Sequence, residues 1–163
     1  MDTLRVGGGV NYTPPYDSRM KSMTWPEIAL RLGVAVLIGA IIGLDREIRH
    51  KAAGVRTIGL VSLGSALAIL IVIFTSNDIA AVSRVIQGVL TGIGFLGAGV
   101  ILHHRGTVEG LTTAASIWAA AVLGSGAGLG AWAPVMIGAG FTLVLLVVAG
   151  WIEYRFKHRD KPH

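Results

Sequence analysis

Apolar positions along this chain gather into five long runs, residues 28–44, 58–74, 85–102, 111–130 and 132–151, each bounded by short polar segments. The runs hold about 17 to 20 residues apiece, the length at which a helix rising 1.5 Å per residue crosses a hydrocarbon core of ~30 Å. Run 58–74 contains no charged residue at all. The pattern predicts an all-α membrane protein, a polytopic bundle of five transmembrane helices. Trp25-Pro26 opens the first helix, with proline at a tolerated first-turn position and tryptophan at interface level. The last two runs meet at Gly130-Ala131-Trp132-Ala133-Pro134, which reads as a tight turn outside the membrane.

Three regions follow from this. Residues 1–27 form a polar, disordered N-terminal tail, interrupted by Gly7-Gly8-Gly9 and Pro14-Pro15 and lacking the apolar core of a signal peptide. Residues 28–152 form the transmembrane domain, and residues 153–163 a basic tail.

Composition sharpens the class. Charged residues make up 14% of the chain, against roughly 25% in a soluble domain. Cysteine is absent, which excludes a disulfide framework, a thiolate metal site and a cysteine nucleophile. The formal net charge of +5 does not indicate a nucleic-acid partner, because the basic residues sit at the ends of apolar runs. Arg46, Arg49, Lys51 and Arg56 lie between runs one and two, Arg105 between three and four, and Arg155, Lys157, Arg159 and Lys161 after run five. With five spans these nine residues share one side, against five elsewhere, including Arg19 and Lys21 in the tail. The positive-inside rule then puts the N-terminus outside and the C-terminus in the cytoplasm, with only Arg84 in the two outer loops. Arg31, the only charge well inside a run, lies one turn from its end and is expected to snorkel to the interface.

Many of the 23 glycines fall inside the spans. Gly39 and Gly43, Gly88 and Gly92, Gly124 and Gly128, and Gly126 and Gly130 are spaced four apart. Lipid offers little hydrophobic drive between helices, so such rows serve close backbone approach. Two readings stay open: tight packing within the bundle, or a homodimer interface on one of these faces. Gly92, Gly94 and Gly97 spell a dinucleotide-binding fingerprint, but they lie in an uncharged membrane run, without the strand, turn and acidic residue that the fingerprint needs. Together with Gly99 they are expected to bend or locally unwind helix three, marking the bundle interior.

Candidate chemistry sits at the ends of the runs. If the segment from Asp45 to Lys51 is helical, Asp45 lies beside Arg49 and Glu47 beside Lys51, both acid-first pairs four apart. Arg56-Thr57 opens the second helix, and Glu109, Thr112 and Thr113 lie at the start of the fourth, where Ser116 shares a face with Thr112. Ser62 and Ser65 share a face in the second. Taken singly, such hydroxyls most often bond backbone or a neighbouring helix. In the topology above, Asp45, Glu47, Arg56, Glu109 and the Thr112 helix start converge on one polar pocket. Its oxygens suit a hard cation such as Mg²⁺, with Asp45 and Glu47 as ligands, and suit equally an ion-pair network that locks the bundle. His103 and His104 point about 100° apart if helical and read as a loop pair at headgroup level. No nucleophile, base and orienting group stand together, so enzyme activity is not expected.

The segments GAIIGLDREIRHKAAGVRTIGLVSLGSAL, GIGFLGAGVIL and GLTTAASIWAAAVLG, in this order, resemble the MgtC/SapB family of bacterial membrane proteins over about residues 28 to 150. The resemblance implies a five-helix inner-membrane domain whose characteristic polar positions are Asp45, Arg46, Glu47, Arg56, Thr57, Thr112 and Thr113. It also implies a link to growth at low magnesium and to survival inside host cells. Some members are proposed to restrain the F-type ATP synthase through its membrane subunits. The virulence-associated members carry a soluble C-terminal domain; this chain stops at His163 and resembles the shorter SapB-like form. The expected function is a small inner-membrane regulator acting by helix–helix contact. The alternative is a transporter of Mg²⁺ or another cation using Asp45 and Glu47.

Overall fold

The computed structural model describes residues 23–76, 78–104 and 107–157. It contains five helices, α1 (Trp25–Ile48), α2 (Val55–Thr75), α3 (Ile79–Val100), α4 (Leu111–Leu129) and α5 (Trp132–Lys157), each long and apolar enough to cross a membrane. The expectations attached to residues 1–22, Asn77, Arg105 and residues 158–163 lie outside the described residues, as do the side chains of His103 and His104.

The helix ends follow the signals in the sequence. Pro26 stands in the first turn of α1, where its missing N–H costs nothing. Asp78 caps α3 by accepting from the Ala80 N–H at 2.9 Å and holds Arg84 at 3.0 Å. Gly130, at φ 75°, ends α4 by donating to the Ala127 carbonyl, while Ala131 donates to Gly126. That reversal needs the left-handed region, which glycine enters without strain. Helix α5 runs past the apolar stretch to Lys157, and Arg155 stacks over the Trp151 ring at 4.8 Å.

Two findings depart from the sequence pattern. The linker between α3 and α4 is an antiparallel pair of three-residue strands, β1 (Leu102–His104) and β2 (Thr107–Glu109), with Leu102 opposite Glu109 and His104 opposite Thr107. Strands this short leave no periodicity to read. Helix α3 is unbroken through Gly92, Gly94, Gly97 and Gly99, so the expected local unwinding is absent. A glycine costs a helix about 1 kcal/mol relative to alanine. An unpaired backbone group facing lipid costs several kcal/mol, so the hydrogen-bond ladder survives the glycines.

Helices α1, α2 and α4 form the tight centre. Ala35, Ala66 and Ala127, one from each, are fully buried against one another. Glycine brings the backbones together around them. A Cβ on Gly39 would stand 2.9 Å from the Gly59 Cα, and one on Gly43 would stand 2.6 Å from the Val55 Cα. From the other side, Gly124 meets the Ser62 backbone, and a Cβ on Gly128 would lie 2.6 Å from the Ala66 carbonyl oxygen. These rows are therefore explained by packing within the chain. Helix α3 differs: no described residue lies within 4 Å of a Cβ placed on Gly88, Gly92, Gly94 or Gly99, and one placed on Gly97 would lie 3.5 Å from the Ala114 Cβ. It is the least buried of the five spans. Leu37, Leu60, Phe95, Phe141 and Leu145 are exposed, as side chains facing acyl chains should be.

The two glycine classes should separate in a stability measurement. Gly124→Ala is expected to cost about 1–3 kcal/mol through overpacking against the Ser62 backbone, read as a lower melting temperature in detergent. Gly92→Ala meets open space and should leave stability unchanged or raise it by up to about 1 kcal/mol through helix propensity.

Candidate functional site

The polar side chains gather where α1 ends and α2 and α4 begin. Helix α1 stops at Ile48; Arg49 then donates to the Asp45 carbonyl, His50 to that of Glu47 and Lys51 to that of Arg46. His50 turns the chain at φ 52°, a region that few residues other than glycine occupy. This early stop decides the pairing of the two acids. Asp45 and Arg49 form the expected ion pair, Nε to Oδ1 at 3.0 Å. Glu47 and Lys51 do not pair, because the turn carries Lys51 off the helix. The Glu47 carboxylate instead accepts from the Val55 N–H at 3.0 Å and fixes the start of α2.

Arg46 is buried, at 3% exposure, and donates from Nη2 to the Thr113 hydroxyl at 2.7 Å. The Arg49 guanidinium lies against Gly150, where a Cβ would overlap it, so α5 joins the same end of the bundle. Gly110 at φ 91° precedes α4, and a Cβ there would collide with the Val100 carbonyl, which holds the end of α3 beside the start of α4.

Arg31 does not snorkel. It is 8% exposed, donating from Nη1 to the Gly128 carbonyl at 2.8 Å and from Nη2 to Glu27 Oε1 at 2.6 Å. Gly128 sits in the last turn of α4, whose final carbonyls have no partner within the helix and carry partial negative charge. Gly130 gives the guanidinium its seat: a Cβ there would stand 2.8 Å from Cζ. Arg31 and Arg46 are thus two clamps on α4. They lie fifteen residues apart on α1, as Thr113 and Gly128 do on α4, a span of about 22 Å in an antiparallel pair.

The other candidate residues are placed as follows. Asp45 and Glu47 face different partners, and one oxygen of Asp45, Oδ2, is buried without a hydrogen bond among the described residues. Among those residues, no three His, Cys, Asp or Glu side chains come close enough to hold a metal. Arg56 and Thr57 are exposed and border, with Glu47, His50, Lys51 and Gly54, an open depression of about 460 Å³. Glu109 and Thr112 are exposed at the start of α4, and no hydrogen bond or ion pair among the described residues joins either side chain to Asp45 or Glu47. The five residues expected to converge therefore divide among three places: Asp45 with Arg49, Glu47 and Arg56 at the depression, and Glu109 and Thr112 beside the hairpin. Thr113, one residue on, is the hydroxyl that turns inward. Ser116 and Ser65 donate to the carbonyl four residues back, and Ser62 bridges helices by donating to the Ala35 carbonyl at 2.7 Å. What sequence reasoning missed is the role of Arg31 and Gly150, since neither carries a local signal for a partner on a distant helix.

Removing the inward hydroxyl tests the Arg46 clamp. Thr113→Val is expected to cost about 1.5–3 kcal/mol, the range for a hydrogen bond to a charged group. Ser65→Ala removes only an intrahelical bond and should cost about 0.6 kcal/mol, the mean for membrane hydrogen bonds. Thermal denaturation of both variants in one detergent gives the comparison.

Comparison with known proteins bears on this arrangement. The model of the MgtC family matches residues 32–155. The protein SrpB of Synechococcus elongatus is 45% identical over 75% of this chain and 74% of its own length. YhiD of Escherichia coli, provisionally named as a magnesium transporter, is 35% identical over 82% of this chain and 66% of its own. MgtC of Salmonella typhimurium is 46% identical over 62% of this chain but only 43% of its own length. No solved structure matches. The matched residues run from the third turn of α1 nearly to the end of α5 and include the Arg46 clamp and both α4 partners, Thr113 and Gly128, with Arg31 one residue before the match; over that span the chain belongs to the MgtC family.

Proposed function

We propose that this multi-pass membrane protein is a small regulator that acts by helix–helix contact with another membrane protein, in cells adapting to magnesium limitation or acid stress. The observation that carries this reading is the open glycine row of α3. Every other four-apart row serves a contact inside the bundle, whereas Gly88 and Gly92 meet nothing among the described residues. They border a shallow apolar groove of about 360 Å³ with Gly64, Leu60 and Leu96. Bare backbone presented to lipid is where a second helix gains most van der Waals contact. On this reading the chain carries out no covalent chemistry. The membrane is the bacterial inner membrane, with the N-terminus outside and the basic α1–α2 turn in the cytoplasm, where its arginines and lysine favour it. The membrane subunits of the F-type ATP synthase are the first partner to test.

A second reading has one observation in its favour. The buried, unpaired Oδ2 of Asp45 is the kind of oxygen that a transported cation would use, and a relative carries magnesium transport in its name. Against it, the described acids Glu27, Asp45, Glu47 and Asp78 lie at helix ends and Glu109 in β2, none at mid-depth where transporters place their sites.

The lack of cysteine allows a clean test. Gly92→Cys is expected to crosslink in native membranes to a different membrane protein, and Phe141→Cys, on an outer face of α5, is not. Gly88→Leu added to the Gly92→Cys variant should abolish that crosslink with an unchanged melting temperature. Crosslinks to a second copy alone would replace the regulator with a homodimer. Mg²⁺ flux into proteoliposomes that Asp45→Asn abolishes would replace it with the transporter.

A further inference from the structure

The turn between α1 and α2 leaves positive charge without a partner. Arg49 is held by Asp45 and lies against Gly150. The reversal at His50 carries Lys51 toward the start of α2, and Lys51, Arg56, His50 and Thr57 then border one open depression of about 460 Å³. Among the described residues none of these four side chains forms an ion pair or hydrogen bond. The one acid at the rim, Glu47, is committed to the Val55 N–H, and its carboxylate is pressed against Gly54, where a Cβ would lie 2.7 Å from Oε2. Two fixed positive charges and a hydroxyl therefore face a space that only one acid borders. Arg supplies a planar fork and Lys a point charge, the pair of donors that suits a phosphate group.

The position of the depression narrows the ligand further. It lies where one candidate span ends and the next begins, the headgroup level of a chain crossing the membrane through both. Directly below Arg56 and Thr57, one stripe of α2 at helical spacing, Leu60, Gly64, Leu67 and Ile71, is exposed and apolar. A molecule bound there meets cationic donors at one end and a lipid-facing aliphatic strip beneath them. Basic pockets beside transmembrane helices recognise anionic headgroups in this way.

We infer that the α1–α2 turn is a binding site for the phosphate headgroup of an anionic phospholipid, held by Lys51 and Arg56 with Thr57 at the rim and acyl chain along Leu60 and Leu67. The headgroup site shares no residue with the glycine groove of α3, while the acyl strip beneath it meets that groove at Leu60 and Gly64; the proposal does not rest on the regulator reading.

The test uses the full chain in mixed micelles, with native mass spectrometry counting retained lipid when phosphatidylglycerol and phosphatidylcholine compete. Wild type is expected to retain phosphatidylglycerol preferentially. Lys51→Gln and Arg56→Gln should each weaken that preference about fivefold, the effect of one basic residue near the membrane surface, and the double variant about 25-fold. Both side chains reach solvent, so the melting temperature should hold, and Arg56→Lys should restore most of the loss. Arg84→Gln, at the Asp78 pair of α3, should change nothing. Equal retention of the two lipids by wild type, or a double variant that behaves as wild type, would overturn the site. Displacement of the lipid by inorganic phosphate would overturn the phospholipid as its occupant.

Discussion

Two arginines on one helix fix the frame of this bundle. Arg31 and Arg46 project from α1 fifteen positions apart, and their partners on α4, Gly128 and Thr113, are fifteen positions apart in the opposite sense. A buried guanidinium is expensive unless its donors are used. Once both clamps form, α4 can neither slide along α1 nor rotate about its axis without uncovering one of them. Register between apolar helices, which side-chain shape specifies weakly in lipid, is thereby set by two polar contacts near the membrane edges.

Between those clamps the cohesion is of another kind. Lipid is as apolar as leucine, so helices gain little from burying hydrophobic surface and gain instead from close approach and from hydrogen bonds. Gly39, Gly43, Gly124 and Gly128 supply the approach, and the Ser62 hydroxyl on the Ala35 carbonyl supplies one of the bonds. The same residue type has the opposite consequence on α3. There the glycines leave a bare strip of backbone facing outward, held helical because an unwound turn in lipid would cost more than glycine's poor helix propensity. Small residues that lock the centre and small residues that present a surface cannot be told apart by spacing alone.

The polar end of the bundle shows how one turn redistributes charge. Continued as a helix, the segment after Asp45 would place Glu47 beside Lys51 and neutralise both. The stop at Ile48 and the left-handed conformation of His50 spend Glu47 on the backbone of α2 and leave Lys51 with Arg56 at the surface. The chain shares the MgtC family's membrane region, so that this turn belongs to the family's matched span.

Class and elements were already legible in the order of residues. Five uncharged or nearly uncharged runs, Pro26 at the first turn, the glycine-containing turn at Gly130 and the motif order around Asp45 and Thr112 are local signals, and the helices and the family follow from them. The Asp45–Arg49 pair was legible for the same reason, since helical spacing alone brings those side chains together. Which glycines are covered, which of Thr112 and Thr113 turns inward, and where Arg31 ends came from the packed bundle alone. Each depends on what a different helix places opposite. A period of 3.6 residues fixes which side chains share a face, but not which face meets another helix when lipid and protein interior are equally apolar. In water the hydrophobic stripe would have answered that question; in a membrane the contacts themselves must.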